Sequence, residues 1–123
     1  MTRINCIPVE ELTDQHLLAE YREITRVAKL ARSLNDYGQY KMSTGHVKFF
    51  YNKGEFLSKR TQTLYIECKR RGFDVQHKQY IQHPPHLNED WHPTIEDEMV
   101  SAARINEKID ANRGYYRYWH KPI

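Results

Sequence analysis

What most limits the folding of this chain is a set of three apolar stripes at helical spacing, each with its own start and stop signals. Along 13–34, Leu17, Tyr21, Ile24, Ala28 and Ala31 recur at steps of three and four, which lines them up on one face of a helix. Thr13 and Asp14 are both good N-caps for it, and NDYGQY (35–40) ends it near Leu34. A second helix is expected from Gly54 or Glu55 to Gly72, with Phe56, Leu57, Thr61, Leu64 and Cys68 inward. Gly72 suits the left-handed position past a helix end, and CKRRG (68–72) puts cations where the helix dipole favours them. Thr94 caps a third helix, Asp97 completes a capping box, and Met99, Ala102, Ile105 and Ile109 are expected inward. The Pro- and His-rich run 74–93 reads as a long loop, HVKFFYN (46–52) as extended coil, and 112–123 as irregular. The fold expected is all-α: a single compact domain over 1–123, three main helices, long irregular connections and an aromatic-basic C-terminal tail.

Composition excludes several classes. Aromatics reach 12%, led by nine tyrosines, which is too many for a disordered chain despite 28% charged residues. The opening MTRINCIPVEE lacks the apolar core of a secretory signal, and no apolar run approaches the roughly 18 residues of a membrane span. Cys6 and Cys68 have no CxxC partner or disulfide framework and read as small buried residues in a reducing cytosol. A cytoplasmic location is expected.

Charge is distributed unevenly. Residues 20–71 hold 12 Lys/Arg against 5 Asp/Glu, residues 72–110 hold 3 against 8, and the tail carries Arg113, Arg117 and Lys121 without an acid. Two basic regions around an acidic stretch suit a polyanion-facing side, although a merely solvated basic helix face fits equally well.

On the first helix, His16, Glu20, Glu23 and Val27 fall on one line, with Arg22 and Arg26 bordering it and the apolar stripe mostly on the other side. An exposed ion pair three residues apart, worth a few tenths of a kcal/mol, accounts for Glu23 and Arg26 alone. It does not account for Thr2 and Arg3. A start methionine before a small residue is commonly trimmed, which would free the Thr2 α-amine. With a pKa of about 8, such an amine is partly neutral at physiological pH, and cations such as Arg3, Arg22 and Arg26 would lower it further. A neutral amine can form a Schiff base with a sugar carbon, and a neighbouring carboxylate can steady the cationic intermediate and move protons.

The segments MTRIN, DQHL.AEYRE..RV, GHV.FFY.K.EFL.KR, EC.KRGF and AR..EKI, followed by the aromatic-basic tail, resemble the phage pyrimidine dimer DNA glycosylases, the ultraviolet-repair endonucleases. The likeness runs nearly end to end in the same order. It implies an all-α domain that is both a DNA glycosylase and an abasic-site lyase and needs neither metal nor organic cofactor. It implies Thr2 as the nucleophile at C1′ of the 5′ nucleotide of the dimer, and Glu23 as the catalytic carboxylate that stabilises the imine and assists β-elimination. Arg3, Arg22 and Arg26 match positions that hold phosphates around the lesion, His16 one beside the sugar-phosphate, and Arg104 and Lys108 further backbone contacts. In the family the base opposite the lesion is turned out of the duplex, which costs least where stacking is already damaged. The partner implied is double-stranded DNA with pyrimidine dimers or abasic sites, no membrane, and a monomeric enzyme.

Three departures stand out. Thr25 replaces a common proline, which predicts a straighter helix; the connection SLNDYGQYKMST (33–44) is short; and the tail reads YYRYWHK for WYKYYGK, moving the tryptophan to Trp119. Lesion preference and DNA grip are the properties these touch. Tyr115, Tyr116, Tyr118 and Trp119 are expected to divide between closing the core and, interleaved with Arg113, Arg117 and Lys121, stacking on DNA with strongly salt-dependent affinity. The rival readings are a metal site from His77, His83, His86 and His92, for which HPPH cannot be a regular helix and no acid completes a zinc motif, a DNA-binding module without catalysis, and a relative acting on another damaged base.

Overall fold

A computed structural model describes residues 4–32, 53–75 and 90–122 (the backbone alone at 28–32 and 122). The described architecture is mostly helical, as expected. After a short 3-10 turn at Val9–Glu11 come α1 (Asp14–Arg32), α2 (Gly54–Arg70) and α3 (Ile95–Ala111). A minimal antiparallel hairpin follows, β1 (Arg117–Tyr118) against β2 (Lys121–Pro122), with Arg117 opposite Pro122 and Tyr118 opposite Lys121. Thr2, Arg3, the HVKFFYN segment, the expected helix end near Leu34 and His77, His83 and His86 lie outside the described residues. None of the described helices is long and apolar enough to cross a membrane.

The helix boundaries follow local chemistry. Thr13 Oγ1 accepts the His16 backbone N–H at 3.1 Å, satisfying an open donor at the start of α1. At the end of α2, Gly72 adopts φ +85°, and Phe73 N–H reaches the Cys68 carbonyl at 2.9 Å while Gly72 N–H reaches that of Lys69 at 3.0 Å. That pairing of bonds around a left-handed glycine closes the last turn and delivers Phe73 to the core. The Thr94–Asp97 capping box on α3 is formed in both directions. α1 continues without interruption through Thr25, whose hydroxyl donates back to the Tyr21 carbonyl at 3.2 Å.

α1 packs chiefly against α2. Leu17, Ile24, Leu57 and Leu64 are fully buried between them, joined by Ile4, Ile7, Val9 and Leu12 from the segment before α1 and by Ile105 from α3. Burying each such aliphatic side chain stabilises by about 2 kcal/mol. Cys6 and Cys68 are free and buried, and burial pushes their thiols up to about 12 and about 11, so both stay protonated.

Two expectations need correction. Met99 is 66% exposed, because six residues at about 100° each turn it roughly 120° away from Ile105. The inward face of α3 is instead Ser101, Ala102, Ile105 and Ile109. The tail is also less irregular than its sequence suggests. Trp119 (φ 51°) and His120 (φ 68°) form the two left-handed corners of the hairpin turn, a conformation that bulky residues adopt only when something holds them there.

Candidate active site

The N-terminal half of α1 organises everything around it. Its first turn holds the tail. Asp14 accepts Trp119 N–H (3.1 Å) and His120 N–H (2.7 Å) through its two carboxylate oxygens, and it pairs with the buried Arg71 at 3.0 Å. Arg71 also donates to Glu67 at 2.9 Å and to the Leu12 carbonyl at 2.8 Å. Its guanidinium lies under the rings of Tyr118 and Trp119, at 4.8 and 5.7 Å from their centroids. Gln15 bridges the next part of the tail, donating to the Tyr115 carbonyl and accepting Arg117 N–H. His16 stacks flat on Tyr116, with ring centroids 4.8 Å apart.

Beside this stack lies a cleft of roughly 680 Å³ between α1 and α3. Asn5, His16 and Glu20 line one side; Arg104 and Lys108, one turn apart, line the other; Tyr115 and Tyr116 flank it. Burial, and then the Lys108 charge, lower the pKa of His16. The neutral ring keeps Nδ1 at 2.6 Å from the Thr13 hydroxyl. The cleft therefore carries two exposed cations and one exposed carboxylate, Glu107, on one wall and a neutral, stacked imidazole on the other, and the excess of cations beside a ring suits an anionic, ring-bearing polymer.

The expected line His16–Glu20–Glu23–Val27 is only partly as drawn. Glu20 and Val27 are both 0% exposed, so the line dips into the core instead of running along an open face. Glu20 lies three residues after Leu17 and four before Ile24, between two core positions, and its charge is met by Arg60 at 2.6 Å. Glu23, three residues on, is largely covered at 12% side-chain exposure and accepts Arg26 Nε at 3.1 Å, while Arg22 and Arg26 are exposed. These three do not line the cleft wall; they continue α1 beyond it.

Of the other expected residues, Arg104, Lys108, Tyr115 and Tyr116 meet His16 at the cleft. Arg113 is exposed and pairs with Asp110 at 2.6 Å. Arg117, Trp119 and Lys121 lie on the exposed hairpin. Tyr118, expected to divide its role with its neighbours, donates its hydroxyl to the Glu10 carbonyl and packs on Arg71. His92 is exposed and lies 3.4 Å from the Asp90 carboxylate. Asn5, Asp14, Gln15, Arg60 and Arg71 also build the site, without being among the residues expected there. A signal existed for one: Arg60 falls midway between Phe56 and Leu64 at steps of four, a charge set inside an apolar stripe.

A family model described as pyrimidine dimer DNA glycosylase matches residues 1–81. The chain belongs to that family. It is thus a DNA repair glycosylase, and its substrate is DNA carrying pyrimidine dimers. The matched span covers α1 and α2 and stops before α3 and the tail, so Glu23 and its arginines lie inside it and Arg104, Lys108 and Tyr115 beyond it.

Proposed function

We propose that this chain is a bifunctional glycosylase and abasic-site lyase whose nucleophile is the α-amine of Thr2, exposed by removal of Met1. The amine attacks C1′ of the 5′ nucleotide of the dimer, and the glycosidic bond breaks with its electron pair and a proton leaving on the base. Ring opening, in which the nitrogen lone pair breaks the C1′–O4′ bond and O4′ takes a proton from water, gives an iminium at C1′. Glu23 stabilises that cation and takes the proton from C2′, and the resulting electron pair expels the 3′ phosphate by β-elimination. Water then hydrolyses the imine and regenerates the amine. Arg3, Arg22 and Arg26 hold phosphates around the lesion, with Arg104, Lys108 and His16 gripping the backbone along the cleft. Arg113, Tyr115, Tyr116, Arg117, Trp119 and Lys121 extend this contact over the tail. The working enzyme is a monomeric single domain that uses no metal or organic cofactor.

The observation that carries this reading is the docking of Asn5 on Glu20, 2.9 Å from Nδ2 to Oε1. The chain leading back to Thr2 starts from the same stretch of α1 that carries Glu23, three residues further on. Borohydride should trap the protein on duplex DNA containing a pyrimidine dimer, and Glu23→Gln should stop strand cleavage while leaving DNA binding intact. Absence of the covalent adduct, with Met1 removal verified by mass spectrometry, would sink the mechanism.

A further inference from the structure

The segment Ile4–Ile7 has no regular secondary structure, yet each of the three helices holds it by a polar contact. From α1, Glu20 Oε1 accepts the Asn5 side-chain amide at 2.9 Å. From α2, Arg60 Nη1 donates to the Ile7 carbonyl at 2.7 Å. From α3, Ser101 Oγ accepts Cys6 N–H at 3.1 Å. Two of these contacts are made by one buried ion pair: Arg60 clamps Glu20 through Nε (2.6 Å) and Nη2 (3.0 Å), and each partner makes one further hydrogen bond, to the N-terminal segment.

A buried Arg–Glu pair is a poor device for stability, because desolvating two charges offsets most of their attraction, and an apolar pair of similar volume often serves as well. Ile4 and Ile7 already hold the segment by burial, but burial has no direction and leaves a strand free to slide or turn about its axis. What the Glu20–Arg60 pair adds is register: it fixes one side chain and one carbonyl on either side of Cys6. We infer that Asn5, Glu20 and Arg60 are positioning residues for the reactive amine, setting where the chain enters the site three residues after Thr2. This rests on the proposal that the Thr2 amine is the nucleophile. Misplacing a nucleophile by about 1 Å can cost about a hundredfold in rate, so partial loosening of the register should be readable in the chemical step.

The test uses Asn5→Ala, which removes one amide and leaves the ion pair, and the double variant Glu20→Leu/Arg60→Met, which removes both charges together so that neither stays buried alone. Each is compared with wild type on dimer-containing duplex under single-turnover conditions, reading the borohydride-trapping rate at saturating DNA, the half-saturating DNA concentration and the thermal midpoint. The expected result is a loss of about tenfold or more in the saturated trapping rate, with half-saturation within about threefold of wild type and a folded protein. Should either variant fail to fold, the other decides. A saturated rate equal to wild type overturns the positioning role, as does a loss confined to half-saturation, which would make Asn5 a simple DNA contact. A wild-type protein that forms no adduct overturns the amine mechanism itself, a failure distinguishable from that of the variants alone.

Discussion

Replacing Asp14 by alanine should release the tail and destabilise the protein by about 3.5 kcal/mol. Three hydrogen bonds are lost. The buried one from Arg71 at 3.0 Å is charge-assisted and worth about 2 kcal/mol. Those from Trp119 N–H and His120 N–H are only partly buried, so water can replace the carboxylate, and each contributes about 0.5 kcal/mol. A carboxylate in the first turn of α1 adds roughly 0.5 kcal/mol through the helix dipole. The total stays below the cost of stranding a charge, because Arg71 keeps Glu67 and the carbonyls of Leu12 and Val9. For a chain of this size about 3.5 kcal/mol corresponds to a fall of about 14 °C in the thermal midpoint. The local effect should be sharper than the global one. Trp119 and His120 occupy left-handed backbone that costs on the order of 1 kcal/mol apiece, and the Asp14 carboxylate is what holds both amides in that turn. Urea unfolding gives the global loss, and hydrogen exchange at 117–121 gives the local one. Asp14→Asn, which keeps one acceptor, should fall between. A loss under about 1 kcal/mol with the hairpin amides still protected would refute the assignment of Asp14 as the pin.

The lowered pKa of His16 makes stability pH-dependent in a defined direction. The folded ring resists a proton that the unfolded chain accepts, so its contribution is complete above the unfolded value of about 6.5 and is lost as pH falls through the lower folded value. Thermal melts of wild type and His16→Gln between pH 7.5 and pH 5 should show the wild type losing more, and parallel curves would contradict it. Gly72→Ala should cost about 1 kcal/mol in urea unfolding, from φ +85° alone, since an added Cβ there meets no atom within 4 Å.

Local signals made the helices legible. Capping chemistry placed the starts of α1 and α3, a glycine placed the end of α2, and the stripe Phe56–Leu57–Thr61–Leu64–Cys68 is buried as its spacing requires. The failures are equally physical. Met99 is apolar and falls within reach of the inward pattern, but nothing local reveals which edge of an amphipathic face the other helices will cover. The hairpin turn lacks the Asn-Gly or Gly-Gly that announces such a turn, because Asp14, 105 residues away, supplies what glycine would otherwise provide. Arg60 and Glu20, 40 residues apart, carry no spacing signature, and only Arg60, set between Phe56 and Leu64, stands where an apolar stripe marks a buried position.

These long-range contacts converge on one helix. Successive turns of α1 have different work. Asp14, Gln15 and His16 hold the C-terminal tail; Glu20 holds the N-terminal segment. Arg22, Glu23 and Arg26 then follow, and among the described residues they have no ion pair beyond the one that Glu23 and Arg26 make with each other. Side chains whose task was to stabilise the fold would be engaged as Asp14 and Glu20 are, by partners far away in sequence. Two exposed guanidiniums beside a mostly covered carboxylate contribute little to folding. Under the function proposed above, the partner of these guanidiniums is a phosphate backbone, with Asn5 and residues 115–120 already held by the turns of α1 before them.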